Sequence, residues 1–143
     1  MRMDIFRIGL DIHGVLDVNS DILLIVKALK LLKNYYGIEV EVHIITGNKY
    51  DSSIINWLKV VYGNDHIWWD KYFSIQDYLE EKYPNEAMWI EGKDLPFFPD
   101  ELWNQAKADY CKEKEIDLHF DNSEEYLSRF TTNCFLYKHK IKS

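Results

Sequence analysis

The sequence predicts a three-layer α/β domain built on a mainly parallel, five-stranded sheet with helices on both faces. Three observations lead there. Short apolar runs of strand type alternate with longer segments of helical period, which implies right-handed crossovers between parallel strands. Three of the apolar runs end in polar residues, Asp11, Thr46 and Asp121, and sheets of this kind bind ligands at the carboxyl ends of their strands. The length of 143 residues suits one compact domain with a real core, so 1–143 is read as a single domain.

The elements follow in order. Residues 5–10 form an apolar strand that delivers Asp11 to the rim, and Gly14 permits a sharp turn three residues later. Residues 21–32 suit a helix capped by Ser20 or Asp21 and ending near Gly37. Residues 39–46 alternate and then become fully apolar, as a strand entering a covered sheet does. A second helix is expected after Asp51 or Ser52, with Ile54, Ile55, Leu58 and Val61 on one face and a stop at Gly63.

Residues 72–75 predict a short third strand and 76–83 a short helix. Pro84, Gly92, Pro96 and Pro99 then punctuate a connection longer than an ordinary turn, and long ordered loops often carry function. A helix over 100–114 follows. Residues 116–120 read as a fourth strand ending at Asp121, and 133–137 as a fifth.

Composition narrows the function classes. The formal net charge is −7, and the acids run along the whole chain, which disfavours a generic nucleic-acid surface. The one basic cluster, residues 138–142, reads as a solvated tail. No apolar stretch approaches the ~20 residues that span a bilayer, and the N-terminus has neither signal-peptide nor transit-peptide character. Cys111 and Cys134 lack framework or metal spacing and read as reduced thiols. A cytoplasmic protein is the expectation.

Residues 5–17, Ile5-Phe6-Arg7-Ile8-Gly9-Leu10-Asp11-Ile12-His13-Gly14-Val15-Leu16-Asp17, resemble the first motif of the haloacid dehalogenase (HAD) superfamily. Its members are mostly phosphatases with an aspartate nucleophile. The resemblance extends along most of the chain and implies a Rossmann-like fold. It makes Asp11 the nucleophile and a magnesium ligand, with the backbone carbonyl of His13 as a second contact. Thr46, in Ile44-Ile45-Thr46-Gly47-Asn48, matches the hydroxyl that holds a phosphoryl oxygen. Asp121, in His119-Phe120-Asp121-Asn122-Ser123, matches the acidic metal-binding motif. The third-motif lysine is assigned first to Lys107 by its spacing from Asp121, with Lys112 second and Lys93 third.

The chemistry needs these residue types. A carboxylate and a phosphate repel, so attack requires a cation, and magnesium takes hard oxygen ligands. Lysine and a hydroxyl stabilise charge on the phosphoryl oxygens. The implied function is magnesium-dependent hydrolysis of a phosphate monoester through an aspartyl phosphate.

His13 departs from the family pattern, which has a second aspartate there. An imidazole can protonate a leaving group and activate water near neutral pH, although a neighbouring metal disfavours its cationic form. Three readings stay open: a working phosphatase with His13 as acid/base, a slowed enzyme, and an impaired domain that binds a phosphorylated ligand or a protein without turnover. About thirty residues separate the first two motifs, too few for a cap domain, so dehalogenation is not expected and the 84–98 loop is the minimal cap.

The substrate class is a phosphorylated small molecule or a nucleotide. Trp68, Trp69, Trp89, Phe97 and Phe98 could form a lid that stacks a planar group, but packing against the sheet or in a homodimer contact is the favoured account of them. His43, His66, His119 and His139 show no ligand spacing; His119 shares a strand face with Asp117 and Asp121.

Overall fold

β1 (Ile5–Leu10) and β2 (Glu39–Thr46) form the centre of the sheet, parallel and in register from Ile5 opposite Glu39 to Leu10 opposite Ile44. The computed structural model describes residues 4–18, 21–63 and 65–136. β3 (Lys71–Ser74) pairs with the outer side of β2, and β4 (Leu118–Asp121) with the other side of β1, both parallel. These four strands are the body of the sheet. A three-residue segment, β5 (Cys134–Leu136), adds in parallel to β4 and completes the order β3-β2-β1-β4-β5. The fold is α/β and compatible with a Rossmann-like arrangement.

Side-chain alternation explains the two covered faces. Ile8 and Leu10 share one face with Val42 and Ile44, and all four are fully buried. They pack with Ile22 and Val26 of α1 (Ile22–Lys30) and Leu58 of α3 (Ser52–Tyr62). Ile45, one residue out of that phase, belongs to the second core with Phe73. There it meets Leu79 of α4 (Ile75–Lys82) and Ala106 and Cys111 of α5 (Asp100–Glu113).

The first predicted helix is interrupted: α1 ends at Lys30, and α2 (Leu32–Tyr36) resumes after Leu31. Asp21 stands at the start of α1 without a side-chain capping bond; Ser20, the alternative cap, lies outside the described residues. α3 starts where expected, because the Asp51 carboxylate accepts from the Ile54 N–H at 3.0 Å, a standard N-cap. The Ser74 hydroxyl does the same for Asp77 at the head of α4. A short helix, α6 (Glu124–Leu127), follows β4 and had no clear signal in the sequence. The basic segment 138–142 also lies outside the described residues.

The long connection after α4 is ordered by backbone pairing. Met88 and Phe97 exchange two hydrogen bonds, Met88 N to Phe97 O at 2.7 Å and Phe97 N to Met88 O at 2.9 Å. This makes an arm from Met88 to Phe97 on which Trp89 stays 67% exposed. Trp68 and Trp69 are instead core residues, with the Trp68 indole N–H donating to Leu58 O at 2.8 Å. They take no part in a lid, and neither does buried Phe98. Cys111 and Cys134 are free thiols. Among the described residues no helix is long and apolar enough to cross a membrane.

Candidate functional site

The strand order reverses at β1. From there the chain moves to β2 and β3 on one side and returns to β4 on the other. Loops leaving β1 and β4 must therefore part in opposite directions, which opens a crevice between their carboxyl ends. Asp11 follows β1 at that point, its N–H donating to Phe120 O of β4 at 3.1 Å. Asp121 closes β4, and Thr46 closes β2.

Lys107, from α5, lies between the two acids. Its ammonium is 2.7 Å from Asp121 Oδ2 and 3.3 Å from Asp11 Oδ1. At 1% exposure, such a cation is tolerable only when paired. Burial pulls the Lys107 pKa down, but Asp11 and Asp121 outweigh it and hold the ammonium above its ordinary range. The Tyr126 ring adds a face to the same cation, 4.3 Å from its centroid. Among the three lysines considered from the sequence, the buried pairing singles out Lys107; Lys112 and Lys93 are exposed.

The two acids respond differently. Burial raises the Asp11 pKa, with Lys107 pulling against it and the Asp121 charge adding to it. Burial also opposes ionisation of Asp121, but the His119 hydrogen bond and the Lys107 charge win and bring it down to about 2. Asp121 is the fixed anion of the pair. Its Oδ2 accepts from Lys107 and from His119 Nε2 at 3.0 Å, and its Oδ1 accepts from the Ser123 N–H at 3.1 Å.

A cavity of about 830 Å³ opens over this centre, lined by Asp11, His13, Thr46, Lys107 and Asn122 among others. Asp121 is fully buried and does not line it. In this arrangement Asp121 serves Lys107, and ligating a metal would require releasing its carboxylate. Among the described residues no group of three or more His, Cys, Asp and Glu side chains is placed to hold a metal. The hard oxygen donors lining the cavity include the Asp11 carboxylate and the Asn122 amide. That chemistry fits magnesium, which is often bound through one or two carboxylates and keeps several waters.

The Thr46 hydroxyl is fully buried and has no hydrogen-bond partner among the described residues. Leaving such a group unsatisfied costs about 1–3 kcal/mol, so this hydroxyl in the cavity wall is open to an ordered water or a ligand oxygen.

His13 sits in the wide turn Ile12–Leu16, closed by Asp17 N to Ile12 O at 3.0 Å. Gly14 takes φ +77°, and a Cβ there would come within 1.9 Å of the Asn122 amide, so any side chain at this position is strained by the backbone and must displace Asn122. The imidazole is 65% exposed, with Nδ1 3.1 Å from Asp17 Oδ2 and Nε2 3.0 Å from Asn48 Oδ1. Both ring nitrogens are thus engaged.

Several contributors were not legible as site residues. Asn48, Asp17, Asn122 and Tyr126 reach the centre from loops or from α6. Trp103 passes over the backbone of Gly47, where a Cβ would lie 2.8 Å from its ring. Its indole N–H donates to the Tyr126 hydroxyl at 3.0 Å. His43 and His119 are buried structural histidines: His43 bonds Glu41 and Tyr110, and His119 bonds Asp121.

No protein-family model matches the chain, and no curated protein matches it as a relative.

Proposed function

We propose that the chain is a magnesium-dependent phosphatase acting on phosphate monoesters, nucleotides among them, through a covalent aspartyl phosphate on Asp11. The observation that carries this is the meeting, in one cavity, of the Asp11 carboxylate, the paired Lys107 ammonium and the unpartnered Thr46 hydroxyl. Those residues come from separate strands and a helix. Together with the motif likeness they support a HAD-like fold, with the arm from Met88 to Phe97 as its minimal cap. Two free thiols suit a cytoplasmic setting.

An Asp11 oxygen attacks phosphorus while the ester P–O bond breaks, and the leaving oxygen takes a proton from His13. Thr46 donates to a phosphoryl oxygen, and Lys107 balances the charge that develops on the others. A water then attacks phosphorus, gives its proton to His13 and frees the Asp11 carboxylate. The Asp11 carboxylate, with the Asn122 amide and the His13 carbonyl, would hold magnesium, which would supply charge neutralisation as the carboxylate meets the phosphate.

A second reading, binding without turnover, rests on His13. Its two nitrogens are held by Asp17 and Asn48, so proton transfer to or from a ligand requires one of these bonds to give way. An assay on an activated aryl phosphate with magnesium separates the two. Turnover that disappears in Asp11→Asn is expected. Silence in both the wild type and His13→Asp, with phosphate binding intact, leaves the binding reading.

A further inference from the structure

A second cavity, of about 530 Å³, lies beside the first and shares Gln76, Asp94, Leu95 and Trp103 with it. Its remaining wall comes from Lys93, Pro96 and Phe97 of the arm and from Phe98 and Asp100 just after it. The phosphoryl chemistry proposed above uses none of these residues. The volume is in the range of small-molecule sites.

The cavity is preformed. Gln76, 5% exposed, donates from Nε2 to Pro96 O at 3.1 Å and ties the arm to the head of α4. Phe98 is anchored in the second core, and the Met88–Phe97 bridge sets the backbone. Leu95 and Phe97 nevertheless remain 40% and 49% exposed. Apolar surface held open next to the phosphoryl site proposed above fits a ligand with one phosphate end and one apolar end. The charges at the wall are Lys93, Asp94 and Asp100, a net negative border that disfavours a second anionic group on the ligand.

We infer that this second cavity receives the leaving group of the substrate, and that this group is an aromatic or similarly flat apolar ring without further negative charge. The inference rests on the phosphatase reading of the neighbouring cavity. It places aryl and arylalkyl phosphates ahead of polyol, sugar and multiply phosphorylated substrates.

Calorimetric titration of the full chain, with magnesium, tests it using two phosphonates that cannot be hydrolysed, 1-naphthylmethylphosphonate and methylphosphonate. The naphthyl ligand is expected to bind at least about tenfold more tightly, from burial of its ring. Phe97→Ala should cut that preference about fivefold while the thermal midpoint and the affinity for methylphosphonate stay as in the wild type. Leu95→Ser, at the shared wall, should also reduce the preference. Equal affinities, no binding of the naphthyl ligand, or a preference unchanged in both folded variants overturns the inference. Turnover is judged separately. A ring preference without hydrolysis of any phosphate monoester supports this cavity and removes the phosphatase reading. Equal kcat/KM on phenyl and glycerol phosphates removes the cavity's role and leaves the phosphatase reading standing.

Discussion

Lys107 is where burial and charge are most tightly linked. Its ammonium is held by two carboxylates of unequal character, and the inequality assigns their work. Asp121, bonded on both oxygens, is the permanent counter-ion; Asp11, bonded to Lys107 at the longer distance and facing the cavity, is the one free to react. Removing the charge of Asp121 leaves a buried cation with one partner, so Asp121→Asn should cost about 3–5 kcal/mol, read as a lower denaturant midpoint. The sign with pH follows from its lowered pKa. The stabilisation is complete above the unfolded value of about 3.9 and disappears as pH falls through about 2. The difference in stability between wild type and Asp121→Asn should therefore shrink across that window. Asp11 behaves in the opposite way, since burial raises its pKa and disfavours its charge. Under the proposed phosphatase reading, Asp11→Asn should abolish turnover without lowering the thermal midpoint, a trade-off common where a site strains the fold.

At the scale of elements, the turn Ile12–Leu16 and the arm from Met88 to Phe97 decide what reaches the site. The turn depends on Gly14, whose positive φ and contact with the Asn122 side chain disfavour a methyl group. Gly14→Ala should destabilise the chain by about 1–3 kcal/mol and displace Asn122, visible as a shifted midpoint and, on the proposed magnesium site, as weaker magnesium binding by calorimetry. The turn was legible only as a glycine after an acid. Its width, and the clasp of Asp17 and Asn48 on His13, depend on residues that meet after the chain has folded back. Regular elements were easier to read. The α3 start at Asp51 is written in local capping chemistry, whereas the break at Leu31 interrupts a run of good helix formers and left no composition signal.

For the whole molecule, packing on the sheet separates the buried Trp68 and Trp69 from the exposed Trp89. Leu10 and Ile44 are fully buried at the centre of the sheet, and truncating either to alanine should cost about 2–5 kcal/mol. Trp89→Ala, on the exposed arm, should move the thermal midpoint little despite the larger side chain lost. Thermal unfolding of the three variants side by side checks the contrast. Both kinds of aromatic lie in the same stretch of chain, and their composition looks alike. Burial alone divides them, and burial is a property of the packed sheet.

Periodicity and strand-end polarity were sufficient to read the parallel α/β architecture and to bring Asp11, Thr46 and Asp121 to one rim, because both are local patterns with direct geometric meaning. The family likeness added Lys107 as the first candidate among three lysines, and its burial between two carboxylates singled it out. Which carboxylate faces the cavity, which tryptophans are structural, and how His13 is clasped all required the assembled fold. Those answers depend on distances between residues far apart in sequence, and a linear pattern carries no such distances.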